Sequence, residues 1–390
     1  MIQRLNYRSL LMFLVVIALG FFIVSCGPKA VKPVSEMDTP DHHFYTGMKF
    51  LDQKMYPDAK GEFDRALALD PKYSKALAGN GLVAAYMGDF KAANESMKQA
   101  WKFVKNDDEK IFVHVSRIRL YTLSKAEKGW LKDAKSEFDQ AIKIDPKSPA
   151  AYYFMGIAYK TALDFANAGQ MFKQVIDFNR DYVKEADAEW TLTQKIQRAM
   201  PGTITGKKIA ILERINRADA AALFMEELKI DVLYKKKTVK TFDTSFKDPE
   251  KAKAKASAPL ATATDIANYP LKADIEGIIR IGVRGLEVYP DGSFHPNDIV
   301  DRATYAMMIE DILIKVSGDN SLATKFIGST SPFPDLRSDL PYFNAVMVVT
   351  SRGIMEAKDV SSGEFAPLGP VPGVDALLII RKLKEELKIF

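Results

Sequence analysis

The feature that most constrains this chain is a 34-residue period in its first half. Gly47 and Gly81 stand 34 residues apart, as do Ala59 and Ala93, Phe63 and Met97, and Ala66 and Ala100. After a seven-residue phase break the series resumes with Ala134 and Ala168, Phe138 and Phe172, and Ala141 and Val175. A fixed period of this length marks stacked helical units, none of which buries its apolar face alone. Small residues at Gly47, Gly81 and Gly156 let paired helices approach closely, while Phe63, Phe138 and Phe172 fill the space between units. Pro71 and Pro146, in ALDPK and KIDPK, end helices because proline lacks an N–H and restricts its predecessor.

This period and residue order resemble the tetratricopeptide repeat. Four units are placed at Pro40–Tyr73, Ser74–Asp107, Val115–Ser148 and Pro149–Tyr182. Thr122 replaces a glycine, and Lys105 and Arg180 replace prolines. The resemblance implies that the inner face of each first helix lines a peptide groove. The matching positions are Phe44, Met48, Leu51, Leu82, Arg119, Leu123, Tyr153, Ile157 and Lys160. An apolar groove with a few cations suits a segment of another protein. The competing expectation is that this face is covered by the rest of the chain or by a second copy.

A second internal repeat fills the C-terminal half. Phe294-His-Pro296 aligns with Phe365-Ala-Pro367 at an offset of 71, which also carries Gly282 onto Gly353 and Arg302 onto Gly373. Phe333-Pro-Asp335-Leu336 opens the second copy. Asp291-Gly292 allows a tight turn with positive φ, and Asp301 and Asn216 stand where helix N-caps belong. The order F-x-D-[VIL], helix, G-[IV], D-G-x-F-x-P, then a helix opened by T-R-A-E, resembles the S-layer homology family. That resemblance implies three units in a pseudo-threefold arrangement that bind cell-wall polysaccharide. They are placed at about 183–235, 264–316 and 333–387, with a flexible insertion rich in Ala, Lys and Pro at 237–263. The first unit lacks the D-G-x-F-x-P loop: Gly206 to Arg217 spans 11 residues where Gly285 to Arg302 spans 17. The family's arginine grips an anionic group, and the residues matching that site are Asn216, Arg217 and Asp219, then Asp301, Arg302 and Thr304. The third unit has Pro372, Gly373 and Asp375 and no arginine. A structural role for Arg217 and Arg302, pairing with acids between units, is the alternative. The expected fold class is therefore mostly α, a tetratricopeptide solenoid at 40–182 followed by a helical S-layer-type module at 183–390.

At the N-terminus, Arg4 and Arg8 precede an uncharged apolar run from Leu10 to Val24, which suits a signal peptide at 1–25 and is short for a membrane span. It ends in Ile23-Val24-Ser25-Cys26, which resembles the bacterial lipobox, so Cys26 is the expected lipid site, followed by a tether at 26–39. Cys26 is the only cysteine, which excludes an intrachain disulfide or a thiolate metal cluster. His42, His43, His114 and His295 are scattered, and no metal, cofactor or catalytic constellation is expected. A net charge of +5, with both signs interspersed, gives no strong basic face for nucleic acid.

These readings converge on a lipid-anchored cell-envelope protein, periplasmic face of the outer membrane if the envelope has two membranes. Its partners would be the membrane through Cys26, an unidentified envelope protein through the repeats, and a wall glycan, peptidoglycan or a secondary polymer, through the C-terminal units. The alternative is a repeat scaffold for outer-membrane protein or pilus assembly, whose C-terminal units dock protein only. A wall hydrolase, the third possibility, finds no acid pair or metal set to carry it.

Overall fold

The computed structural model describes residues 30–125, 128–237 and 263–388. Cys26, the apolar run before it and nearly all of the 237–263 insertion lie outside the described residues. The chain divides into two bodies, Met1–Asp187 and Ala188–Phe390. Among the described residues secondary structure is helical, apart from two isolated bridges.

The N-terminal body is a run of helix pairs. They are α1 (Pro40–Asp52) with α2 (Tyr56–Leu69), α3 (Ser74–Tyr86) with α4 (Phe90–Lys102), α5 (Asp107–Ser124) with α6 (Trp130–Ile144), and α7 (Pro149–Thr161) with α8 (Phe165–Phe178). Each helix packs on its pair-mate, and each first helix also packs on the first helix of the next pair. That is the packing of a tetratricopeptide-type solenoid.

Local sequence explains where the helices start. Thr39 accepts from the His42 amide at 3.2 Å, Asp89 from Ala92 at 2.9 Å, and Asn106 from Glu109 at 2.9 Å, each an N-cap relieving an orphan donor. The periodic residues meet inside: Ala59, Ala93, Ala134 and Ala168 are all fully buried. Phe63 lies so close beneath Gly47 and Gly79 that a Cβ on either would fall 2.6 and 2.7 Å from its ring. Phe172 sits likewise under Gly156, at 2.5 Å. Burying each such ring contributes roughly 1.5–3 kcal/mol. The phase break is taken up within α5, an 18-residue helix that begins at Asp107, well before Val115.

Helix α9 (Val183–Ala199) spans the division between the bodies. The C-terminal body continues with α10 (Ile204–Ala210), α11 (Arg217–Ala222) running on as a π turn (Leu223–Glu227), and α12 (Ile230–Lys237). Then come α13 (Lys272–Ile281), α14 (Arg302–Ser317), α15 (Phe343–Ser351) and α16 (Gly373–Glu386). Three residues, each two positions before a helix, close a hydrogen-bonded ring. Ile215 N–H donates to the Val371 carbonyl at 2.9 Å, Val371 to Val300 at 3.3 Å, and Val300 to Ile215 at 3.1 Å. All three side chains are buried, and a helix start follows each: α11, α14 and α16.

The two copies of the x-G-x-F-x-P loop match closely. Asp265 accepts from the Phe294 and His295 amides at 2.8 and 2.7 Å, and Asp335 accepts from Phe365 and Ala366 at 2.9 and 2.6 Å. His295 and Ala366 take positive φ, 55° and 54°, at corresponding positions. These anchored amides turn Phe294 and Phe365 inward, where both are fully buried.

Candidate functional site

Three places on the chain bear on function. The first is the face assigned to a peptide groove. Phe44, Leu51 and Leu82 are 4%, 3% and 0% exposed, so they are core and not groove lining. The reason is the close stacking of first helices, which pulls these positions between α1, α3 and α5: Phe44 meets Phe63, Tyr73 and Phe112 edge-on or tilted. Arg119 is buried as well, its guanidinium 4.4 Å from the Phe154 ring centre and its Nη2 donating to the Tyr86 hydroxyl at 3.1 Å. Met48, Leu123, Tyr153, Ile157 and Lys160 are partly exposed. Tyr153 stacks on Tyr182 at 5.0 Å, an aromatic contact that sequence spacing did not reveal.

The second place is the pair of arginines. Arg217 caps the 215–217 corner by reaching into the next loop: Nε donates to the Phe294 carbonyl at 2.9 Å, Nη2 to Glu287 at 2.9 Å, and Nη1 to Gly285. Arg302 repeats this one copy later, with Nε on the Phe365 carbonyl at 2.7 Å and Nη2 on Glu356 at 2.6 Å. Each guanidinium also lies over the phenylalanine of the loop it enters, at 4.7 and 4.5 Å. Burial pulls the Arg302 pKa below the usual arginine value. Their partners are thus carbonyls, and the expected acids between units are not what holds them.

The cap residues are engaged too. Asn216 and Asp219 form a reciprocal capping box on α11, and Asp301 accepts from the Thr304 amide at 2.7 Å. Burial raises the Asp219 pKa against the opposing Asn216 amide bond. As local structure, Asn216, Asp219 and Asp301 serve helix starts.

Gly373 explains the missing third arginine. Its amide donates to the Leu212 carbonyl at 2.9 Å, and a Cβ on it would lie 1.8 Å from the Ile209 carbonyl oxygen. The first unit has no x-G-x-F-x-P loop, so there is no carbonyl socket for an arginine, and the backbone closes directly on Gly373.

The third place is a cleft of about 820 Å³ in the C-terminal body. Its wall brings six cations together with three carboxylates. Arg302 stands at its edge, and α9, the 354–360 loop and α16 supply the rest. Among the described residues no group of three His, Cys, Asp or Glu is placed to hold a metal, and no helix is long and apolar enough to cross a membrane.

Comparison with known proteins adds little to this geometry. No family model matches the chain. Superkiller protein 3 of Schizosaccharomyces pombe is 22% identical over 186 residues, covering 36% of this chain. The chain spans 13% of the length of that relative. The solved structure of pilF from Pseudomonas aeruginosa is 15% identical and covers 42% of this chain and 93% of its own, with a TM-score of 0.22. At that score no residue correspondence is taken from it. The solenoid packing of α1–α8 defines the class: a tetratricopeptide-type helical array, an architecture suited to holding protein segments.

Proposed function

We propose that this chain is a cell-envelope scaffold: its helix-pair array holds a segment of an envelope protein, its C-terminal body holds an anionic wall polymer, and lipid on Cys26 ties it to a membrane. The observation that carries the reading is the array itself, four consecutive helix pairs whose first helices stack on one another. Met48, Leu123, Tyr153, Ile157 and Lys160 are the part of the assigned face that remains accessible. The glycan part is supported by the order of the repeated motifs and by the cation-rich cleft beside Arg302. The lipid part is supported by a lone cysteine ending an apolar run. If the envelope has two membranes, the site of attachment is the periplasmic face of the outer one.

Photo-crosslinkers placed singly at Leu123, Ile157 and, as a control, the exposed Lys98 of α4 test the array. One shared adduct from Leu123 and Ile157, and none from Lys98, is the expected result. Equal labelling from all three sites rejects the groove. Co-sedimentation of the full chain with purified sacculi tests the glycan part, and absence of the chain from the pellet at low salt rejects it.

A second reading is favoured by the engagement of Arg217 with three backbone carbonyls. In it the C-terminal body docks protein only, and the chain is a scaffold for outer-membrane protein or pilus assembly.

A further inference from the structure

The cleft beside Arg302 contains a second set of cations that the sequence motif does not mark. Lys195 on α9, Lys358 on the loop after α15, and Lys382 on α16 all line it. Their side chains are 42%, 47% and 51% exposed, whereas Arg302 is 5% exposed. Their ion pairs are loose: Lys195 and Lys358 both approach the single carboxylate of Asp375, at 3.8 and 3.6 Å, and Lys382 approaches Glu356 at 3.8 Å. These separations exceed hydrogen-bonding distance, and two ammonium groups sharing one carboxylate leave positive charge uncompensated. Arg302, by contrast, has Nε and Nη2 fixed on carbonyls. The cleft also has an apolar floor, made by the buried Ile354, Met355 and Ile379. Sugar rings present C–H faces that pack on such a floor while their acidic substituents face the rim.

We propose that Lys195, Lys358 and Lys382, and not the motif arginine, form the contact site for a carboxylate- or phosphate-bearing saccharide, with Arg302 acting as the strut that shapes the cleft. This rests on the reading that the C-terminal body binds wall polymer. The three lysines come from separate segments, so an extended anionic ligand meets all of them only when the cleft is assembled. Ammonium groups on flexible stems suit a polymer whose charges are spaced along a chain, without the fixed fork that bidentate recognition needs.

The test uses the full chain and four probes: oligogalacturonate, a phosphorylated mannan oligosaccharide, neutral malto-oligosaccharide and poly-glutamate. Binding is measured across a salt series for wild type, for each Lys→Gln variant, for the triple Lys→Gln variant, and for a triple Lys→Arg variant. The expected result is binding of at least one acidic saccharide, no binding of the neutral one, and a loss of about two- to fivefold per lysine neutralised. The triple Lys→Arg variant retains binding, and thermal unfolding of every variant stays close to wild type because these side chains are exposed. Wild-type binding undiminished in the triple Lys→Gln variant would overturn the lysine site while leaving the wall-binding reading intact. No binding of either acidic saccharide by wild type overturns both. Poly-glutamate bound as tightly as the saccharides overturns the proposal in favour of an acidic protein partner.

Discussion

At the scale of single residues, Arg217, Arg302 and Gly373 occupy equivalent helix starts and do opposite things. Arg217→Ala strips donors from three carbonyls of the next loop and is expected to destabilise the C-terminal body by about 1–3 kcal/mol. Lysine at 217 would restore only part, since it lacks the fork. Gly373→Ala forces a methyl against the Ile209 carbonyl and should destabilise by about 1–3 kcal/mol or more. Urea midpoints read both. A larger loss at 373 than at a surface glycine such as Gly61, where a Cβ meets nothing within 4 Å, is the internal check. Glu310 adds a pH dependence. It is buried beside Arg284 and Asn344, and burial holds its pKa above the ordinary value of 4.5. The folded chain therefore binds this proton more tightly than the unfolded one. That contribution to stability is fully present below pH 4.5 and is lost as pH rises through the raised folded value. Melting temperature followed upward from pH 4.5 should fall less in Glu310→Gln than in wild type.

At the scale of helices, Leu82 makes the same point about what spacing alone can say. It sits at a groove position in the repeat order, yet it is fully buried between stacked first helices. Leu82→Ala should cost about 2–5 kcal/mol of array stability, read by thermal or urea unfolding, with no effect on partner binding beyond that loss. The period in the sequence made the helical class and the buried alanine and phenylalanine positions legible, because those positions depend on contacts within a pair or between neighbours. It did not make burial of Phe44, Leu51, Leu82 and Arg119 legible, since that depends on how tightly successive pairs are wound. The seven-residue break was visible, but its outcome, one long α5, was not: the acidic turn Asp107-Asp108-Glu109 with its Asn106 cap starts the helix early. In the C-terminal body the arginines were legible as special, whereas their partners, 54 to 77 residues away in the chain, were not.

At the scale of the whole molecule, attachment is the property to test first. On the proposed lipid attachment, Cys26→Ala should abolish palmitate labelling and leave an unprocessed precursor, read by metabolic labelling and electrophoretic shift, and absence of label from the wild type would reject the attachment. Persistent label in that variant would place the lipid elsewhere. The two bodies also differ in how they must be made. In the array most helix packing is within a pair or between neighbouring pairs, with the Phe44–Phe112 contact reaching one pair further, so a chain emerging in order can consolidate it nearly pair by pair. The ring of Ile215, Val300 and Val371 has no such partial form. It joins residues up to 156 apart, so nothing closes it until Val371, close to the end of the C-terminal body, is available. Long loop closures of that kind slow folding. A chain delivered unfolded across a membrane would thus present a finished array while its C-terminal body was still open, and a truncation after α14 would cost that body its closure altogether.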